Sequence, residues 1–283
     1  MNTIKRIFFV AASAAILFTA CKKEEDTVVD TNEGTVEVVF VPMSGSNALK
    51  MNEPITTPAG EELTIQDMKF FISNVAMVQK DAKEVSVKPL EGDSCQNGIW
   101  LINLTNPNHD AGYGQQAYKV RFTAPAGDYA DLRFSVEVPR EYNLADITKN
   151  PHPVNGSNGM YWSWNSGFKF FVINGKSPVV GPSGRDQVHL SIGQGFRSVD
   201  YNFRSMLLAA ERPGILVEKG KTTTMVFTYD VNKLLTNVDG TPYSLVSNPG
   251  GPSKSQVHGG EMSSVLQQNS ASAIDLLNFF INQ

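Results

Sequence analysis

The sequence predicts an all-β protein: an antiparallel β-sandwich of immunoglobulin-like or jelly-roll type, with long loops and a short C-terminal helix. Three observations carry this expectation. Apolar and polar residues alternate through short segments along most of the chain, as strands with one buried face require. Gly, Pro, Asn and Asp punctuate those segments and mark turns. Helical spacing is confined to one stretch near the end, through Val265, Leu266, Ile274 and Leu277. About eight to ten short strands with irregular connections suit two packed sheets better than alternating strands and helices.

The chain opens on a leader. Lys5 and Arg6 precede a near-continuous apolar run from Ile7 to Phe18, too short to span a bilayer and of signal-peptide length. The run ends in LFTAC, which resembles a bacterial lipobox, so residues 1–20 read as a lipoprotein signal peptide and Cys21 as the lipidated residue. Two or more acyl chains on one cysteine anchor a protein stably, where a single chain is marginal. Residues 21–34 are charged, lack aromatics and read as a solvated tether. Acidic residues just after the cysteine also look like a surface-export signal. The implied address is the outer membrane, on its periplasmic or cell-surface face.

Residues 35–283 read as a single β-sandwich domain. TVEVVFVP (35–42) opens it, with Val36, Val38 and Phe40 on one face. DMKFFISNVAMVQ (67–79), the turn KDAK and EVSVKPL form a hairpin-like pair. GIWLINLT (98–105) and AYKVRFTAP (117–125) follow, and Ala126-Gly127-Asp128 turns into YADLRFSVEVP. EYNLADI (141–147) predicts at most one helical turn. In MYWSWNSGFKF, Trp162, Trp164, Phe168 and Phe170 share one parity, which predicts a single strand face with Ser163, Asn165 and Lys169 on the other. DQVHLSIG (186–193) turns Val188, Leu190 and Ile192 inward and His189 the opposite way, and TTTMVFTYDV (222–231) alternates as cleanly.

Charge excludes one class of partner. The net charge is −4, and loss of Lys5 and Arg6 with the leader makes it more negative, so no basic surface points to nucleic acid. Enzyme signatures are missing too: there is no phosphate loop, no G-x-S-x-G elbow, no H-E-x-x-H and no C-x-x-C. Carboxylates are scattered, and a hydrolase would need two of them to converge from distant strands. The expectation is a protein that is not an enzyme. With Cys21 lipidated, Cys95 is the one remaining thiol, so no intrachain disulfide can form.

Of the four histidines, His109 and His152 lie among turn formers and read as solvated loop residues. His189 projects from a strand on its non-core side, and His258 precedes Gly259 and Gly260, where the bare backbone allows close approach. Neutral imidazoles from two separate segments make half of a copper or zinc site. Trp162 and Trp164 read first as core, each burying a large apolar area. On an exposed face the same pair would stack on sugar rings, so a glycan-binding surface lipoprotein without metal is the second reading.

The blocks GMYWSWNSGFKFF, MKFFISNVAMV, AGDYADLRFSVEVP, VHLSIG and VHGGEMSS resemble, in order and spacing, the MbnP-like copper-binding proteins. The resemblance implies a β-sandwich and an exported, non-catalytic copper-binding protein for capture or handling of the metal. It implies His189 and His258 as imidazole ligands, with Met160 as a soft neighbour. It also implies that Trp162 or Trp164 lines the site or is oxidised to kynurenine, whose arylamine and carbonyl, unlike an intact indole, can ligate a metal. A diheme peroxidase-like oxidase is the partner that the family implies.

Overall fold

Alternation along an unusually long strand organises the molecule, since Glu62–Gln79 runs for 18 residues and pairs with several neighbours. The computed structural model describes residues 32–90, 95–110, 116–143, 145–162, 167–180, 187–193, 202–204 and 214–282. The leader, Cys21, nearly all of the tether and Trp164 lie outside the described residues. The elements used below are β1 (Glu33–Ser44), β2 (Glu62–Gln79), β3 (Ile99–Asn103), β4 (Gln116–Pro125), β5 (Gly127–Ser135), β6 (Tyr161–Trp162) and β7 (Gly167–Phe168). They continue with β8 (Phe171–Lys176), β9 (Gln187–Ile192), β10 (Ile215–Val217), β11 (Thr222–Asp230), β12 (Gln256–Val257), the helix α1 (Gly260–Ser270) and β13 (Ile274–Asn282).

Two sheets pack face to face as a β-sandwich. The first runs β13-β11-β1-β4, and the second runs β5-β2-β8-β9-β12, with β3 beside β2 and β10 beside β5. Most pairs are antiparallel, as expected, but β1 lies parallel to β11 and β9 parallel to β12. The sandwich is therefore mixed. Parallel neighbours need a long crossover, and the chain between β1 and β11 contains most of the second sheet.

The core lies between the sheets. Val36, Val38 and Phe40 of β1 meet Phe70 and Ile72 of β2, Phe134 of β5 and Phe171 and Ile173 of β8. Phe40 is fully buried, edge-on to Phe70 at 5.3 Å and to Phe134 at 5.9 Å, and stacked on Phe227 at 5.8 Å. Residues of opposite parity on the second sheet, Phe71, Ile99, Leu101 and Val172, build a second apolar cluster with Val138, Val154, Met160, Phe168 and Phe170. The second sheet is thus covered on both faces.

Two expectations need correction. Residues 160–170 are not one strand face: β6 and β7 pair antiparallel, Tyr161 opposite Phe168 and Trp162 opposite Gly167. The turn formers Asn165, Ser166 and Gly167 compete with the alternation of the aromatics. The helical spacing at the C-terminus also ends early. Helix α1 stops at Ser270, and Ile274–Asn282 is a strand pairing with β11. There Leu276 is buried and Leu277 is exposed, the period-two pattern of an edge strand.

Replacing Phe40 by Ala removes the ring that three others pack on, and should cost about 3–5 kcal/mol in urea unfolding. Leu277→Ala, at an exposed site, should stay within about 0.5 kcal/mol.

Candidate metal centre

A polar row crosses the outer face of the second sheet. In the ladders Asn174 of β8 stands opposite Asp67 of β2, and His189 of β9 stands opposite Asn174. Directly opposed residues project to the same side. Their neighbours Met68, Ile173, Val188 and Leu190 fill the core, so the row faces away from it.

β12 extends that row. It runs parallel to β9 with Gln256 beside His189 and Val257 beside Leu190. The backbone N–H of His189 donates to the Ser255 carbonyl at 2.7 Å, and the Ser191 hydroxyl donates to the Val257 carbonyl at 2.7 Å. His258, two residues after Gln256, returns to the His189 side. Gly259 (φ 141°) and Gly260 (φ 70°) then turn the chain into α1 through conformations that L side chains rarely adopt.

The β6–β7 ribbon closes the site from the other side. Tyr161 and Phe168 face the second apolar cluster, 5.1 Å apart, and Phe168 meets Phe71 edge-on at 5.7 Å. The next residue, Trp162, projects the opposite way. Its ring lies edge-on to His189 at 5.3 Å and to His258 at 5.4 Å, while the two imidazoles stack 4.6 Å apart. The Lys169 ammonium sits 4.2 Å from the Trp162 ring centre, a cation–π contact.

His189 Nδ1 lies 2.5 Å from Asn174 Oδ1, and Asn174 Nδ2 donates to Asp67 Oδ2 at 3.0 Å. Asp67 Oδ1 accepts from the Thr105 hydroxyl at 2.6 Å and from the Lys69 ammonium at 3.0 Å. His189 Nε2 is buried with no hydrogen-bond partner among the described residues. Burial pushes the His189 imidazolium down to about 4, and the cationic forms of His258 and Lys169 add to this against the opposing pull of Asp67. Burial, then Lys169, lowers His258 as well. Burial also lowers Lys169, with Asp67 opposing. Both rings are therefore neutral at neutral pH and keep a lone pair, the form that binds metals.

Of the sequence-predicted site residues, Trp162, His189 and His258 come together. Met160 is fully buried in the second apolar cluster. His109 pairs beside β4 at the first sheet, and His152 is exposed in a loop. The third tryptophan, Trp100, is core. Among the described residues no group of three or more His, Cys, Asp and Glu converges, so the centre offers two imidazoles and an indole.

Sequence reasoning missed the parts played by Asp67, Asn174 and Lys169. Lys169 is expected on a polar face, yet it is 7% exposed and covers Trp162. Asn174 could have been flagged as the polar residue alternating outward within the otherwise apolar FVIN.

A family model described as MbnP matches residues 33–250, a span that holds Asp67, Trp162, Lys169, Asn174 and His189 and ends before His258. The solved structure of MbnP from Methylosinus trichosporium is similar, with a TM-score of 0.50 and 15% identity over 78% of this chain and 83% of that one. At that identity the likeness speaks for the fold alone. A search of curated proteins gives no match.

An imidazole held down to about 4 binds a proton more readily after unfolding, so stability is lost as pH falls from about 6.5 toward 4. The melting temperature of metal-free protein should drop across that window. His189→Gln, which cannot take up the charge, should flatten the slope, with His258 leaving a residual dependence.

Proposed function

The chain belongs to the MbnP family, and on that premise we propose that it is a lipid-anchored, extracytoplasmic copper-binding protein that captures or handles the metal without catalytic turnover. One observation carries the reading: two neutral imidazoles stack 4.6 Å apart beside Trp162, and one of them keeps a buried nitrogen without a partner among the described residues. Imidazole nitrogens suit copper and zinc, whereas calcium and magnesium take oxygen ligands, and among the described residues no carboxylate joins the two rings. His189 and His258 are the residues that would hold the ion. His258 is exposed, which gives the ion a way in.

Copper is cargo in this reading, and the protein's contribution is selection and shelter. Trp162 closes one side of the imidazole pair. Trp162 is in contact with both histidines. Its oxidation to kynurenine would add nitrogen and oxygen donors beside the imidazoles, and a diheme peroxidase-like oxidase is the class of partner that could drive it. A glycan platform fits less well, because the Trp162 ring already packs against Lys169 and two imidazoles.

Purified protein loaded with copper and desalted should retain about one ion per chain by metal analysis. The double variant His189→Ala, His258→Ala should retain none, and an unchanged stoichiometry would overturn the site assignment. Lipid attachment is read separately: Cys21→Ser should abolish incorporation of labelled fatty acid and release the protein from envelope membranes.

A further inference from the structure

The hydrogen bonds on the outer face of the second sheet have only one consistent direction, and it starts at Asp67. Oδ1 of Asp67 is held by the Lys69 ammonium at 3.0 Å, a group that can only donate, and by the Thr105 hydroxyl at 2.6 Å. The Thr105 hydroxyl also accepts from the Met68 N–H at 2.8 Å, so its own hydrogen is directed at Asp67. A carboxylate held by donors in this way is an acceptor on Oδ2 as well. The Asn174 group 3.0 Å from Oδ2 must therefore be its NH2. That fixes the amide, and Asn174 Oδ1 is left facing His189 Nδ1 at 2.5 Å. An amide oxygen only accepts, so the hydrogen between them belongs to Nδ1.

We infer that Asn174, oriented by Asp67, is a positioning residue that locks His189 in the Nδ1–H tautomer and so presents the Nε2 lone pair to the space beside His258 and Trp162. Three features agree with this. Nε2 is the ring nitrogen that is buried without a partner among the described residues. The three side chains stand opposite one another in adjacent ladders, so backbone pairing rather than chance rotamers sets their spacing. Lys69 and Thr105 brace Asp67 from β2 and from the end of β3, which keeps the start of the relay fixed. The tautomer follows from the hydrogen bonds alone; that the lone pair serves copper rests on the reading given under Proposed function. In that use the relay acts as outer-shell partners of ligating histidines do, fixing ring orientation and raising ligand basicity.

The test is nitrogen-15 NMR of histidine side chains in metal-free protein at neutral pH, run beside copper affinity. Wild type should give His189 a protonated Nδ1 and a pyridine-type Nε2. Asn174→Leu, which removes the acceptor, should shift His189 toward the Nε2–H form or a mixture, and should weaken copper binding about 10–100-fold. Asn174→Asp keeps an acceptor oxygen and should restore the Nδ1–H form. Asp67→Asn must keep its amide oxygen toward Lys69 and Thr105, which turns its NH2 on Asn174 and the Asn174 NH2 on His189 Nδ1, and should shift His189 toward the Nε2–H form. A wild-type His189 with its proton on Nε2, or a tautomer unmoved in Asn174→Leu, would overturn the inference. Tautomers behaving as stated in a protein that binds no copper would uphold the relay and sink the copper reading instead.

Discussion

Strand register on β2, β8 and β9 is the constraint on which the rest depends. The side-chain period of a strand is two, so a slip of one residue exchanges its faces. A slip in β8 would carry Asn174 into the core and Ile173 out of it. The register is held from both sides at once. Phe171 and Ile173 are fixed in the sandwich core, where Phe171 stacks on Tyr229 at 5.1 Å, and Val172 is fixed in the outer cluster. A sheet buried on both faces has no alternative pairing of comparable energy, and the polar row inherits that rigidity at no further ordering cost. The bare glycines after His258 complement this stiffness, since they absorb the turn into α1 without disturbing β12.

The electrostatics of the centre come from the same packing. Lys169 belongs to the segment that covers the outer face, so its ammonium is nearly buried and is held over an indole. Burial first, and then the nearby Lys169 cation, disfavour a positive charge on either ring, so both imidazoles are held in their neutral form. The two rings can therefore stack, which two imidazolium ions would resist. Asp67 balances part of this charge through the hydrogen-bonded row rather than by direct contact with either ring.

Most of the fold was legible in the sequence because period two is a local signal. Val36, Val38 and Phe40, or Met225, Phe227 and Tyr229, declare their inward face without reference to any partner. The family blocks likewise marked His189, His258 and Trp162. What could not be read were relations between distant strands: the parallel pairing of β1 with β11, and the alignment of Asp67 with Asn174 and His189. The ribbon of β6 and β7 was misread for a related reason, since an alternating aromatic run looks the same whether the chain continues or doubles back. At the C-terminus, apolar spacing suggested more helix, but pairing with β11 decided the conformation of Ile274–Asn282.

The parallel contact of β1 with β11 also sets an order in time. Thr35 is aligned with Thr222 and Phe40 with Phe227, so the first strand waits for a partner made nearly two hundred residues later. Contacts so distant in sequence form slowly, because the loop entropy is spent before the pairing repays it. Until β11 arrives, β1 has β4 and the short strand Asn47–Ala48 beside it, and its other edge stands open. His258 comes later still, after both sheets have their central strands. The imidazole pair is thus among the last features to assemble, and an incomplete chain presents His189 without its partner.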